Sequence, residues 1–269
     1  MALPDAHIVD FAEPPVAEVA LSVQFARPVL DATRALGDFW PRIREQYPKL
    51  QQLPQLPPLE SSFEVPTQGR MVFNIAGPES ARYLFVSDRE NELVQAQENR
   101  LGYNWRKSPA DETYPRYGHV REHFTSALDG LLGVVGNDIE LTWCEMLYVN
   151  PVVLGEPGEP RPDLSRIIRR VADVQLSALP TTPINTTLVE RFRVEREDGS
   201  PYAWFFVEIQ PTVTDEQALA YQITLLMRGQ PTRPDRASVL DFFDDARNRI
   251  VRTFHDITTP EMHDRWGLR

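Results

Sequence analysis

The sharpest chemical pattern in the chain is His119-Val120-Arg121-Glu122-His123, which matches H-x-x-E-H, the zinc-binding arrangement of the inverted zincin peptidases. Two imidazoles at i and i+4 of a helix can reach one metal ion, and a neighbouring carboxylate can take a proton from the metal's water. That is the chemistry of a metal-dependent hydrolase. On a helical wheel, however, the apolar stripe Val120, Phe124, Leu128 and Leu131 centres more than roughly 90° away from His119 and Glu122. The spacing therefore predicts that the string faces solvent, and no third ligand is legible. The expectation is no metal and no cofactor, with His119, Glu122 and His123 as the metal-dependent alternative. A second group of potential ligands, His255, Asp256, Glu261, His263 and Asp264, reads mainly as capping. Thr259-Pro260-Glu261 supplies an N-cap, a first-turn proline and an acid at the positive end of a helix.

The second constellation is a strand with two apolar faces. Ala203, Phe205, Val207 and Ile209 share one side, while Tyr202, Trp204 and Phe206 share the other, continued by Glu208. A sheet covered by helices on one side needs only one such face. The other must meet the rest of the chain, a second protomer or a ligand. Arg191 and Arg193 lie on one face of the preceding strand. Tyr202, Trp204, Phe206, Glu208, Arg191 and Arg193 are therefore the candidate binding residues, with no catalytic residue assigned.

Other chemistries lose their supports. Cys144 is the single cysteine, so an internal disulfide framework is excluded, and its apolar strand suggests a buried structural thiol. There is no G-x-S-x-G elbow, no G-x-x-x-x-G-K phosphate loop and no G-x-G-x-x-G after a strand. The basic stretch Arg161, Arg166, Arg169 and Arg170 is flanked by Asp163 and Asp173 and reads as a solvated helix face. A formal charge of −11 opposes binding to polyanions, so nucleic acid is not expected as a partner. The N-terminus lacks a basic start followed by an apolar run, and no stretch of about 18 apolar residues occurs. A cytoplasmic protein with no membrane partner is expected.

The elements that must position these residues follow from periodicity. Val19, Leu21, Val23 and Phe25 alternate as a strand, and Asp31 can cap a helix carrying Ala35, Leu36, Phe39, Trp40, Ile43 and Tyr47. A proline-rich crossing from Leu53 to Pro58 leads into strands expected at 59–65, 70–76, 82–88 and 91–103, then a helix at 114–132. The order repeats with a strand at 139–149, a short basic helix at 163–171, strands at 186–196, 202–210 and 217–228, and a helix at 235–257. The chain thus reads as α+β, an antiparallel curved sheet with amphipathic helices on one face. Two strand-helix-meander-helix halves, 1–135 and 136–269, can share one continuous sheet. The order resembles the TATA-binding-protein-like and helix-grip folds, a likeness that supplies no function.

Three stretches, PPVAEVALSVQF, LTWCEMLYVNPV and ARNRIVRTFHDITTPEMHDRWG, together resemble an uncharacterised, sporadically distributed family of bacterial proteins. The likeness rests on the proline-then-Val-x-Glu-Val start, the Tyr148-x-Asn150 strand end and the Phe254-x-x-Ile257-Thr258 helix end. It implies a bacterial, full-length unit and carries over no catalytic residue, substrate or cofactor. The expectation is a binding or protein-interaction module, not an enzyme, with a protein or small molecule as partner and homodimerisation as one way to cover the second face. The alternatives are a metal-dependent hydrolase using the HVREH helix and a nucleic-acid-binding accessory protein.

Overall fold

The computed structural model describes residues 9–59, 63, 81–108, 113–154, 163–169, 186–214 and 217–269. Nine strands form one antiparallel sheet: β1 (Glu18–Phe25), β2 (Lys49–Pro54), β3 (Ala81–Val86), β4 (Glu92–Gln97), β5 (Arg100–Arg106), β6 (Leu141–Val153), β7 (Leu188–Glu195), β8 (Pro201–Val213) and β9 (Leu219–Gly229). Their spatial order is β2-β3-β4-β5-β1-β6-β9-β8-β7. The opening strands of the two halves, β1 and β6, pair at the centre, with Leu21 opposite Met146. On either side the last strand of the meander returns next to the first, and each half closes with a long helix, α2 (Arg116–Val135) or α3 (Arg236–Ile257). The sheet is α+β and antiparallel, and it runs unbroken across the junction near residue 136.

Alternation explains the core. Val19, Leu21 and Val23 of β1, Leu101, Tyr103 and Trp105 of β5 and Ile223, Leu225 and Met227 of β9 all point to one side and are fully buried. The helices supply the facing layer with Val120, Phe124, Leu128 and Leu131 from α2 and Val239, Phe243 and Ile250 from α3. Phe124 meets Phe243 edge to face at 5.0 Å, an arrangement that suits the ring quadrupoles. The start of α3 is fixed by Asp235, whose carboxylate accepts from the Ser238 N–H at 2.8 Å. Gly229 is required by packing, since a Cβ there would lie 2.3 Å from the Tyr202 carbonyl oxygen.

Several expectations are corrected. The segment after Asp31 is a π-helical turn, Arg34–Phe39, spliced to the short helix α1 (Trp40–Ile43). Pro41 has no N–H to complete an α-helical bond there. The apolar run at 91–103 is a hairpin, β4 and β5, turning at Glu98–Asn99. The basic helix expected at 163–171 is one 3-10 turn, Leu164–Arg166, within the described part of that stretch. Strand β2 is an element the periodicity does not predict, and only its last two residues, Leu53 and Pro54, fall in the proline-rich crossing. Of the strands expected at 59–65 and 70–76, residues 60–62, 64–65 and 70–76 lie outside the described residues.

The opposite face of the sheet is crossed by the chain leaving β2. The Leu56 N–H donates to Gln97 Oε1 at 3.0 Å and the Leu59 N–H to Gln24 Oε1 at 2.7 Å. Further along, the Phe63 ring stacks on Trp143 at 5.3 Å. Among the described residues, no helix is long and apolar enough to cross a membrane.

Candidate functional site

Between the helix layer and the sheet lies a cavity of about 400 Å³. The period of β6 places Tyr148 and Asn150 in its floor, and α3 contributes Arg247, Ile250, Val251 and Phe254. Tyr114 and Tyr117, around the start of α2, form a side wall. The Tyr148 and Tyr114 hydroxyls are 3.1 Å apart. Burial pushes the pKa of both phenols up, and Tyr114 beside Tyr148 adds to the effect there, so both remain neutral hydroxyls at ordinary pH. The Asn150 side-chain amide donates to the Ile223 carbonyl at 3.1 Å, which fixes its orientation.

The end wall is the N-terminal segment. It is zipped to the C-terminus by Ala12 N–H to Gly267 O at 2.9 Å and Glu13 N–H to Trp266 O at 3.0 Å. Arg116 clamps it from α2, donating to the Phe11 carbonyl at 2.8 Å and the Ala12 carbonyl at 2.7 Å. Arg116 holds φ at +77°, a strained value for a residue with a side chain. The described lining contains no histidine and no cysteine. Apolar walls, phenol hydroxyls, an amide, the Arg247 guanidinium and the Asp10 carboxylate with its partners Arg116 and Arg269 can hold a molecule.

A second polar centre involves the HVREH string. His119 and His123 do not face open solvent as the wheel predicts. His119 Nε2 lies 2.6 Å from Glu92 Oε1, and His123 Nδ1 lies 3.4 Å from Glu92 Oε2 and 2.9 Å from the Tyr47 hydroxyl. The two imidazoles stack with centroids 4.0 Å apart. The reason is the extent of the sheet: the β4–β5 hairpin continues beneath the flank of α2, so side chains beside the apolar stripe still meet protein. Burial holds the His123 pKa below its usual value, against the opposing pull of Glu92. Burial and then Glu92 raise the phenol pKa values of Tyr47 and Tyr103. Glu122 is exposed on the other flank of the helix, lining a shallow depression with Arg121, Thr125 and Asp129. The carboxylate that joins the histidines is Glu92, 27 residues upstream of His119, and nothing in the sequence pairs them.

The strand residues divide. Trp204 and Phe206 share the face away from the helices, but Tyr202 turns to the helix side, where its hydroxyl donates to Asp245 Oδ2 at 2.6 Å and its ring meets Phe242 edge on. A register shift explains this: Val194 pairs with Ala203 and Glu195 with Pro201, so Tyr202 is the extra residue of a bulge. Trp204 is only 3% exposed, covered by Phe63 at 6.1 Å and by the Arg191 guanidinium 3.9 Å from its ring centroid. Arg193 donates to Glu195 Oε1 at 3.1 Å, and Glu208 is half-buried on the same face.

At the C-terminus, Thr259 caps the short helix α4 (Pro260–Arg265) by accepting from the Met262 N–H, and Glu261 pairs with Arg166. Cys144 is fully buried, with its thiol pKa pushed well up by burial. Comparison with models of protein families and with curated proteins finds no match for this chain.

Proposed function

We propose that this chain is a binding module that holds a small organic molecule in the cavity between the sheet and α3. The observation that carries this reading is the cavity itself: about 400 Å³, apolar in its walls, with a few convergent polar groups, the build of a ligand site. The pattern favours a molecule with an apolar body and an acceptor or anionic end facing Tyr148, Asn150 and Arg247. The three stretches that carry the family resemblance also converge here, through Pro14 and Val16, Tyr148 and Asn150, and Arg247, Ile250 and Phe254. In this reading the cytoplasm supplies the ligand, and the aromatic face around Trp204 serves stability.

The test is a titration with 8-anilinonaphthalene-1-sulfonate, an aromatic anion that brightens in apolar sites. Saturable enhancement is expected. Val251→Trp, which fills the cavity, should abolish it, and Arg247→Ala should weaken it by roughly tenfold, the worth of a hydrogen bond to a charged group. Enhancement that persists in Val251→Trp, with the variant folded by circular dichroism, would place the probe elsewhere and remove the proposal.

A further inference from the structure

Away from the cavity, we infer that Glu92, His119 and His123 form a binding site for one divalent first-row transition metal ion of the zinc class. The donor set is two imidazoles one turn apart on α2 and one carboxylate at the start of β4, with one ligating atom from each within 4.8 Å of the others. His₂Glu is a known set for such ions, which take ligands at about 2.0–2.2 Å and so bring donor atoms to roughly 3.4 Å from one another. The side chains are between 15% and 34% exposed, which leaves an entry path and room for the small rotations needed.

An independent observation points to an occupant. Tyr103 is fully buried beneath the cluster on β5, its ring 5.7 Å from that of His123, and its hydroxyl faces Glu92 without closing a hydrogen bond of normal geometry. Buried hydroxyls are almost always satisfied. A water held in the metal's open position would give this one a partner. The Tyr47 hydroxyl lies 2.9 Å from His123 Nδ1, the nitrogen that also faces Glu92, and it must release that nitrogen when a metal binds there. The other stacked pair, His255 and His263, is not joined by a third ligand: among the described residues, three such donors come together only at Glu92, His119 and His123. His263 Nε2 is already engaged by Thr258 Oγ1 at 3.0 Å and the His255 carbonyl at 3.1 Å.

The experiment uses the full chain, stripped with a chelator and titrated with Zn(II) by calorimetry and with Co(II) by visible absorption. One equivalent should bind with a dissociation constant on the order of micromolar or tighter. Glu92→Gln, His119→Ala and His123→Ala should each weaken binding at least tenfold, while Glu122→Gln and His255→Ala leave it unchanged. Tyr103→Phe should shift the Co(II) spectrum and keep the stoichiometry. Absence of binding at millimolar metal, or binding that survives both Glu92→Gln and His119→Ala, would overturn the inference. His119→Gln, checked by circular dichroism, covers the case in which the alanine variant fails to fold. The anilinonaphthalene titration should be unaffected by Glu92→Gln, so the two sites stand or fall separately.

Discussion

The two faces of the sheet are made from the same strands and are filled by different physics. Toward the helices, Leu21, Tyr103, Leu225 and Phe205 meet the apolar stripes of α2 and α3, and specificity comes from shape. On the other side a row of polar residues runs across β5, β1, β6 and β9. Arg100 donates to Ser22 Oγ at 2.8 Å and to Glu145 Oε1 at 2.6 Å, and the Arg228 Nε–H donates to Glu145 Oε2 at 2.6 Å. Burial lowers the Arg100 pKa, with Arg228 and Arg82 adding to the effect against Glu145. Beside this row, Trp143 and Trp204 are buried under Phe63. One face tolerates apolar side chains of similar volume, whereas the other depends on directional partners and, among the described residues, on the segment that leaves β2.

The sharpest way to break this comparison is on β8. Phe205→Ala should lower unfolding free energy by about 3–5 kcal/mol through lost burial and a residual cavity. Trp204→Ala should cost a similar amount, with no change in association state by light scattering, because Trp204 is covered from within the chain. A mild Trp204→Ala phenotype in urea denaturation, or altered self-association, would mean that the crossing segment does not hold Phe63 against it. Glu145→Ala should come next, at about 3 kcal/mol, since it leaves the buried Arg100 without its carboxylate. Arg228 is partly exposed and can turn to water, which limits the loss. Arg191→Ala should cost only about 1 kcal/mol, the scale of a cation–π contact at an exposed site, measured in the same assay.

How much of this was legible in the sequence depends on whether local signals agreed. Helix α3 is legible to within one residue because the Asp235 cap and the spacing of Val239, Phe243 and Ile250 point the same way. Strand β2 is not, because Lys49–Pro54 is exposed throughout, so no apolar alternation marks it and only pairing with β3 makes it a strand. Tyr202 is misplaced by strict alternation because a one-residue bulge is invisible to a period of two. Tyr148 and Asn150 stand out as a motif, yet the cavity they line is produced by the spacing of layers, which no local pattern encodes. The histidines are legible as a pair and Glu92 is not, since their meeting depends on where the β4–β5 hairpin passes under α2.

The smallest effect separates the faces by pH. The four histidines among the described residues, His119, His123, His255 and His263, all lie on the helix layer, and none lies on the face with Arg100 and Glu145. His263 is 6% exposed and packs its ring 5.8 Å from Phe11 and 4.4 Å from His255. Burial lowers its pKa; His255 and Arg169 reinforce this, whereas the His255 carbonyl and Asp264 oppose it. A histidine depressed in the folded state binds its proton more readily when the chain unfolds, so the unfolded state holds more protons just below pH 6.5. Stability is then complete above that value and declines as pH falls through it, at no more than about 1.4 kcal/mol per pH unit for this one group. The decline levels off below the folded-state pKa. Thermal midpoints measured at pH 7.5 and 5.5 should therefore fall on acidification, and His263→Gln should fall less than wild type across that interval. Glu145→Ala, which disturbs only the histidine-free face, should lower both midpoints and leave their difference as in wild type. An unchanged pH response in His263→Gln would remove this histidine as the source.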